Sequence, residues 1–308
     1  NSLILLLNLM VISRMRFGRT QVKFVCFSIL FLFAVLMMAS TRQFSFYVNR
    51  SPFNYALNPN VVGYYTLLSS FFAFHLFNAS KSIAKCIGRL VVVIATTLIL
   101  IDTGARTSFA AFLIFLFVLT VDRFGPAFRR IQRYKKWIGF IIVGSFFLVY
   151  IYSYILPEII GRNIVIFNKN LFSGRQIIWQ EIFELISDNW LFGVGARHGF
   201  GHAEILSAHN FFLGYATTFG LPVMIGVIVF IYNILRDFLI KNKGNKNTVF
   251  VFSAWVSVLS VSMFETVLSY DLVLILAPCL FILKSEKPLQ HASIVFSHDN
   301  CPGFAQGV

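Results

Sequence analysis

Charge is scarce in this sequence. Only 12% of its 308 residues are Asp, Glu, Lys or Arg, about half the share found in soluble domains. So little charge cannot clothe a water-soluble surface of this size. Cysteine is also scarce. Cys26 and Cys279 lie in apolar runs, Cys86 in a basic stretch and Cys301 near the end. Residues 157–220 hold none, so no disulfide framework is expected there. No cleavable signal pattern is visible, and no internal repeat appears, which removes support for an inverted-repeat transporter. What the chain does have is apolar mass: 57% hydrophobic residues, 37 of them Phe.

A run of about 20 apolar residues crosses the hydrocarbon core as a helix and satisfies its own backbone. Spans are read at 22–40, 61–78, 88–101, 107–121, 138–156, 221–240, 248–268 and 271–283. The stretch Leu3 to Ile12 is too short and reads as the end of a truncated helix. An N-terminal portion is therefore expected to precede Asn1. The expected architecture is all-α: a polytopic transmembrane bundle with one large outer loop carrying short amphipathic helices. Its parts are N-terminal spans over 1–156, the loop over 157–220, C-terminal spans over 221–283 and a cytoplasmic tail over 284–308.

The net charge of +14 would suggest nucleic acid in a soluble protein. Here the positions of the charges explain it. Arg14, Arg16, Arg19 and Lys23 precede the first full span. Lys81, Lys85 and Arg89 follow the second, and Arg123, Arg129, Arg130, Arg133, Lys135 and Lys136 follow the fourth. Arg236, Lys241, Lys243 and Lys246 follow the sixth, with Lys284 and Lys287 in the tail. These 19 of 26 basic residues fall on one side of the span count. The positive-inside rule makes that side cytoplasmic, puts 157–220 outside, and leaves little reason to invoke nucleic acid.

Three outer residues stand out. Arg106 lies in the turn Asp102-Thr103-Gly104-Ala105-Arg106 between two spans. An Arg there is costly unless it is paired or reaches water; snorkelling or a bridge to Asp102 is the plainer reading. Arg175 follows Ser173-Gly174, and Ser173 with Gln176 fits a capping box. Trp179, Ile182, Phe183 and Ile186 then recur at helical spacing. Arg175 in a first turn, beside free amides, makes an anion site; an exposed ion pair is the plainer alternative. His209 sits in Ser207-Ala208-His209-Asn210. With Ser207 as cap, it falls in the first turn of a short helix ending near Gly220, with Pro222 opening the next span. The positive helix end favours a neutral imidazole able to act as a base; an interfacial His bonded to backbone is the alternative. His198 and His202 are four apart, but the glycines of 193–201 oppose a helix there. His75, Glu265 and Asp271 are too scattered to form a proton relay.

The order of these features resembles a known family. Ser173-Gly174-Arg175, Trp179, Asn189-Trp190-Leu191-Phe192-Gly193-Val194-Gly195, Ala208-His209-Asn210, Leu213 and Phe219-Gly220 look like the signature region of the O-antigen ligase and O-antigen polymerase superfamily. Thr103-Gly104-Ala105-Arg106-Thr107 resembles that family's Arg-bearing turn, and Asn58-Pro59-Asn60 with Gly63 its Asn-Pro segment.

The resemblance implies a metal-independent glycosyltransferase of the bacterial plasma membrane, active on the outer, periplasmic face. The donor would be an undecaprenyl-diphosphate-linked glycan and the acceptor lipid A core or another glycan. His209 would be catalytic. Arg106 and Arg175 would hold the diphosphate, with Arg197, Trp179 and Asn210 as further substrate contacts. No cofactor is implied. A polyprenyl-linked glycan flippase is the alternative. It would place polar residues along the middle of several spans, whereas here they gather at the outer rim.

Overall fold

The computed structural model describes residues 2–15, 17–47, 59–78, 82–124, 147–161, 164–166, 169–170, 172, 174–195, 208–242, 247–265 and 277–284. The chain runs through α1 (Ser2–Arg14), α2 (Arg19–Tyr47), α3 (Pro59–Asn78), α4 (Ile83–Asp102), α5 (Arg106–Phe124) and α6 (Phe147–Ile160). After α6, β1 (Val165–Ile166) pairs antiparallel with β2 (Lys169–Asn170). Then come α7 (Arg175–Asp188), α8 (Phe211–Phe219), α9 (Leu221–Lys241), α10 (Thr248–Ser262) and a 3-10 turn at Leu280–Lys284. The fold is helical as expected. The two-residue ladder is an addition that no sequence period announced.

At the centre stands α10, buried along nearly its whole length. A helix apolar all round belongs in a core or a membrane. Its buried hydroxyls are all accounted for. Ser253 donates to the Val249 carbonyl and Ser262 to that of Val258, each at 2.8 Å. Ser257 reaches across to the Ala111 carbonyl of α5 at 2.7 Å. Beside it, Phe71, Phe74, Phe112, Phe115 and Phe250 form an aromatic stack with centroids 4.6–6.2 Å apart.

The outside of the bundle is also apolar. Ile83, Ile87, Leu90, Val91, Ile94, Leu98 and Ile101 run along α4 at three- and four-residue spacing, and all are exposed. Phe24, Phe27 and Phe31 do the same on α2, at 62–73% exposure. A helix of a soluble protein turns such a stripe inward, and patches of this size mark an apolar partner. Among the described residues two helices, α4 and α9, are long and apolar enough to cross a membrane. This is the surface of a membrane protein.

Some bounds differ from the sequence reading. The span at 248–268 is helical only to Ser262, with a turn at 263–265. Because α6 runs on to Ile160, the loop starts later than 157. Within α6, Ile151–Ile155 is a π turn. Pro157 has no N–H to give the Ser153 carbonyl, and Gln180 Nε2 of α7 donates to that carbonyl instead, at 2.9 Å. Residues 138–146, 266–276 and the tail from 285 lie outside the described residues.

Candidate functional site

The site is built at the end of the bundle where α3 begins and α10 ends. Here α4 stops at Thr103, whose hydroxyl donates back to the Ile99 carbonyl at 2.9 Å. Gly104 turns the chain at φ +59°, a conformation glycine adopts without penalty. Ala105 is buried and Arg106 opens α5. The turn is pressed onto α3 at Gly63, where a Cβ would lie 2.3 Å from that of Ala105. Arg106 stands just outside the span read at 107–121. Burial pulls its guanidinium below the ordinary value; Tyr152 and Glu265 oppose that, and the Arg175 charge adds to it. Arg106 therefore lies within electrostatic reach of Arg175 and Glu265.

Arg175 is the first residue of α7, as the sequence suggested. The cap is different. Gly174, at φ +78°, is the N-cap and makes no side-chain bond. Ser173, the other half of the expected capping box, lies outside the described residues, and the Gln176 Oε1 is buried with no hydrogen-bond partner among the described residues. The helix is held instead by its apolar face. Ile178, Trp179 and Ile182 pack against Val149, Ala208 and Leu213 in a second small core. Trp179 is fully buried; its ring lies 5.2 Å from Tyr152 and 5.8 Å from Phe264. Its Nε1 donates to the Ala208 carbonyl at 2.8 Å.

That bond fixes the residue before His209. The sequence put His209 in the first turn of α8 with Ser207 as cap. In the structure Asn210 is the cap and its Oδ1 accepts from the Leu213 amide at 2.9 Å. His209 therefore precedes the helix, at φ +46°, and Ser207 lies outside the described residues. It is the sole non-glycine residue with positive φ among the described residues. Such a conformation costs on the order of 1 kcal/mol or more and persists when its surroundings impose it. The surroundings are the Trp179 bond on one side and Asn210 on the other. Asn210 is fully buried, and its Nδ2 donates to the Met263 carbonyl at 2.6 Å. Trp179 and Asn210 thus stand behind the site and position its backbone; neither is open to a ligand in this structure.

The residue that ties the site together is Glu265, which the sequence reading set aside. It lies three residues beyond α10 and is 3% exposed. Its Oε1 accepts from Arg175 Nη2 and from Asn60 Nδ2, the latter at 3.1 Å. Its Oε2 faces His209 Nδ1 at 3.5 Å. Asn60, Arg175, His209 and Glu265 are far apart in sequence and meet around one carboxylate. Tyr152, on the π turn of α6, acts electrostatically on Arg106 as well. An ionisable residue beside a span calls for a named partner, and that rule was the one sequence signal for Glu265.

The remaining motif is structural. Asn189 to Gly195 docks on the end of α8, where helix carbonyls lack partners. The Val194 amide donates to Thr217 at 2.7 Å, Gly195 to Thr218 at 3.2 Å, and Leu221 to the Trp190 carbonyl at 2.7 Å. Gly193 and Gly220 have positive φ, and a Cβ on either would fall 2.4 and 2.2 Å from a backbone oxygen. Arg197, His198 and His202 lie outside the described residues.

Residues 90–228 match the family model described as O-antigen ligase. Over that stretch, which is less than half of the 308 residues, the chain is similar to the O-antigen ligase family. No curated protein matches it. The matched O-antigen ligase segment takes in Arg106, Arg175 and His209. It ends before Glu265 and begins after Asn60, so the carboxylate and its amide partner come from flanking segments.

Proposed function

We propose that the chain is a multi-pass enzyme of the bacterial plasma membrane that transfers a glycan on the outer face. The donor is an undecaprenyl-diphosphate glycan, and the acceptor is a hydroxyl of lipid A core or of another glycan. The observation that supports this best is the meeting of Arg175 and His209 on one buried carboxylate, with Arg106 in the same electrostatic neighbourhood. The charge count over the connecting segments assigns that end of the bundle to the outside.

The chemistry follows from the charges. The acceptor oxygen attacks the anomeric carbon while the bond from that carbon to the diphosphate oxygen breaks. The hydroxyl proton passes to His209. The leaving diphosphate keeps the bonding electrons, and its growing charge is held by Arg106 and Arg175, whose planar guanidinium groups suit phosphate oxygens. Attack from the side opposite the leaving group inverts the anomeric carbon. The start of α7 adds its amides and positive helix end to the same anion. On this reading Arg197, which lies outside the described residues, is assigned a further anion contact from the sequence alone. The two arginines supply the positive charge, so transfer is expected to proceed in the presence of a chelator. Activity lost with chelator and restored by a divalent ion would overturn the metal-independent mechanism. Arg175→Lys is expected to be a poor substitute because an ammonium cannot make the fork contact; a fully active lysine variant would reduce Arg175 to a simple charge.

A further inference from the structure

Glu265 creates a problem for the transfer reading. It neutralises the very cation that is needed for the diphosphate. Arg175 is 14% exposed and paired to a carboxylate that is almost wholly buried. At the same time the carboxylate's other oxygen faces His209 Nδ1 at 3.5 Å. That is within ion-pair reach but too long for a good hydrogen bond. One anion is thus shared unequally between the two groups that transfer requires.

We propose that Glu265 is a positioning residue that changes partners when donor binds. Without donor it fills the anion site at the start of α7. An incoming diphosphate displaces it from Arg175 and leaves its carboxylate to His209. This rests on the transfer reading above and deepens it.

The physics favours the exchange. Arg175 combines a guanidinium with the positive end of a helix, so the place it faces holds an anion well. Glu265 offers one negative charge there, whereas a diphosphate brings about two and more acceptor oxygens. The two anions repel strongly in a buried setting, where charges are poorly screened. Asn60 Nδ2 grips Oε1 at 3.1 Å, so the displaced carboxylate pivots rather than leaves. The pivot carries Oε2 toward Nδ1 of His209, and contacts of this kind tighten in substrate complexes. A carboxylate on Nδ1–H selects the tautomer whose Nε2 lone pair takes the acceptor proton, and it stabilises the imidazolium that results. The other groups acting on this point are Arg106, which stays cationic throughout, and Tyr152. The base is therefore completed only once the leaving group is seated.

The test uses the purified full chain in nanodiscs. Two quantities are read: the Kd for glycan-free polyprenyl diphosphate, and kcat for transfer from a glycan-bearing donor. Glu265→Gln keeps the size of the side chain and an oxygen for Asn60, but removes the charge. It is expected to bind polyprenyl diphosphate about 5-fold tighter, because no internal anion competes. Its kcat is expected to fall by about 10-fold or more, because His209 loses its partner. A merely structural role would weaken binding and turnover together. A Kd that is unchanged or weaker overturns the exchange, and so does an unchanged kcat. Should the glutamine variant fail to fold, Glu265→Asp serves. Its carboxylate reaches less far toward Arg175, and the same opposed changes are expected. Arg175→Ala and His209→Asn are measured alongside. Wild-type transfer by those two would remove the transfer reading itself. Loss in those two with a wild-type Glu265→Gln would remove only the exchange.

Discussion

Inside the bundle, Phe71, Phe115 and Phe250 pack as a soluble core would, yet α4 turns Ile87, Ile94 and Leu98 outward. At the rim, the apolar layer of Trp179, Ile182 and Leu213 faces inward, and it backs a set of charged groups. The bundle asks only for apolar surface of roughly the right shape on its outer side. The rim asks for particular atoms. Gly63, Gly193 and Gly220 leave no room for a methyl group, Asn210 must both accept and donate, and His209 must hold a positive φ. Sequence tolerance should therefore change sharply between the two regions.

The largest effects are expected at the charged groups. Arg175→Ala should cut transfer on the order of 100-fold or more while insertion and yield stay normal. His209→Asn is the sharper variant, since Asn also accepts positive φ and so keeps the backbone but removes the imidazole. Transfer by purified protein, with yield measured in the same membranes, checks both. Next come the glycines that dock the 189–195 loop on α8. Gly220→Ala should destabilise the rim by about 1–3 kcal/mol through strain alone, and the contact with the Leu191 oxygen adds to that. A lowered Tm together with lowered transfer is the expected result. Trp179→Phe should cost about 1 kcal/mol by deleting the bond to the Ala208 carbonyl, with a partial loss of rate as His209 loosens. The smallest effect is expected on the lipid-facing stripe. Ile94→Leu should change stability by less than about 0.5 kcal/mol and leave transfer alone. A stripe variant as damaging as Gly220→Ala would break the contrast between bundle and rim.

Much of the helical layout could be read from the sequence because long apolar runs favour helices that satisfy their own backbone. The Arg106 turn, the start of α7 at Arg175 and the break at Gly220-Leu221-Pro222 were legible for the same local reason. Caps were less legible. Ser173 and Ser207 looked like caps, but Gly174 and Asn210 hold those positions; several neighbouring residues can cap, and the packing of Trp179 and Asn210 decides among them. Glu265 was passed over because a lone carboxylate near a span carries no meaning until its partner is known. Those partners lie 90 and 205 residues away at Arg175 and Asn60. Tyr152 was hidden in an apolar run; it lies on the π turn Ile151–Ile155, with its ring against Trp179 and Phe264.

The rim is proposed to cleave a glycan from a polyprenyl diphosphate and join it to a hydroxyl. The direct measurement is transfer by purified protein from an undecaprenyl-diphosphate glycan, offered lipid A core in one reaction and a second carrier-linked glycan in another. The wild-type chain should extend one of the two acceptors and release undecaprenyl diphosphate, and the His209→Asn and Arg175→Ala chains should do neither. No product with either acceptor, or equal product from all three chains, would contradict it.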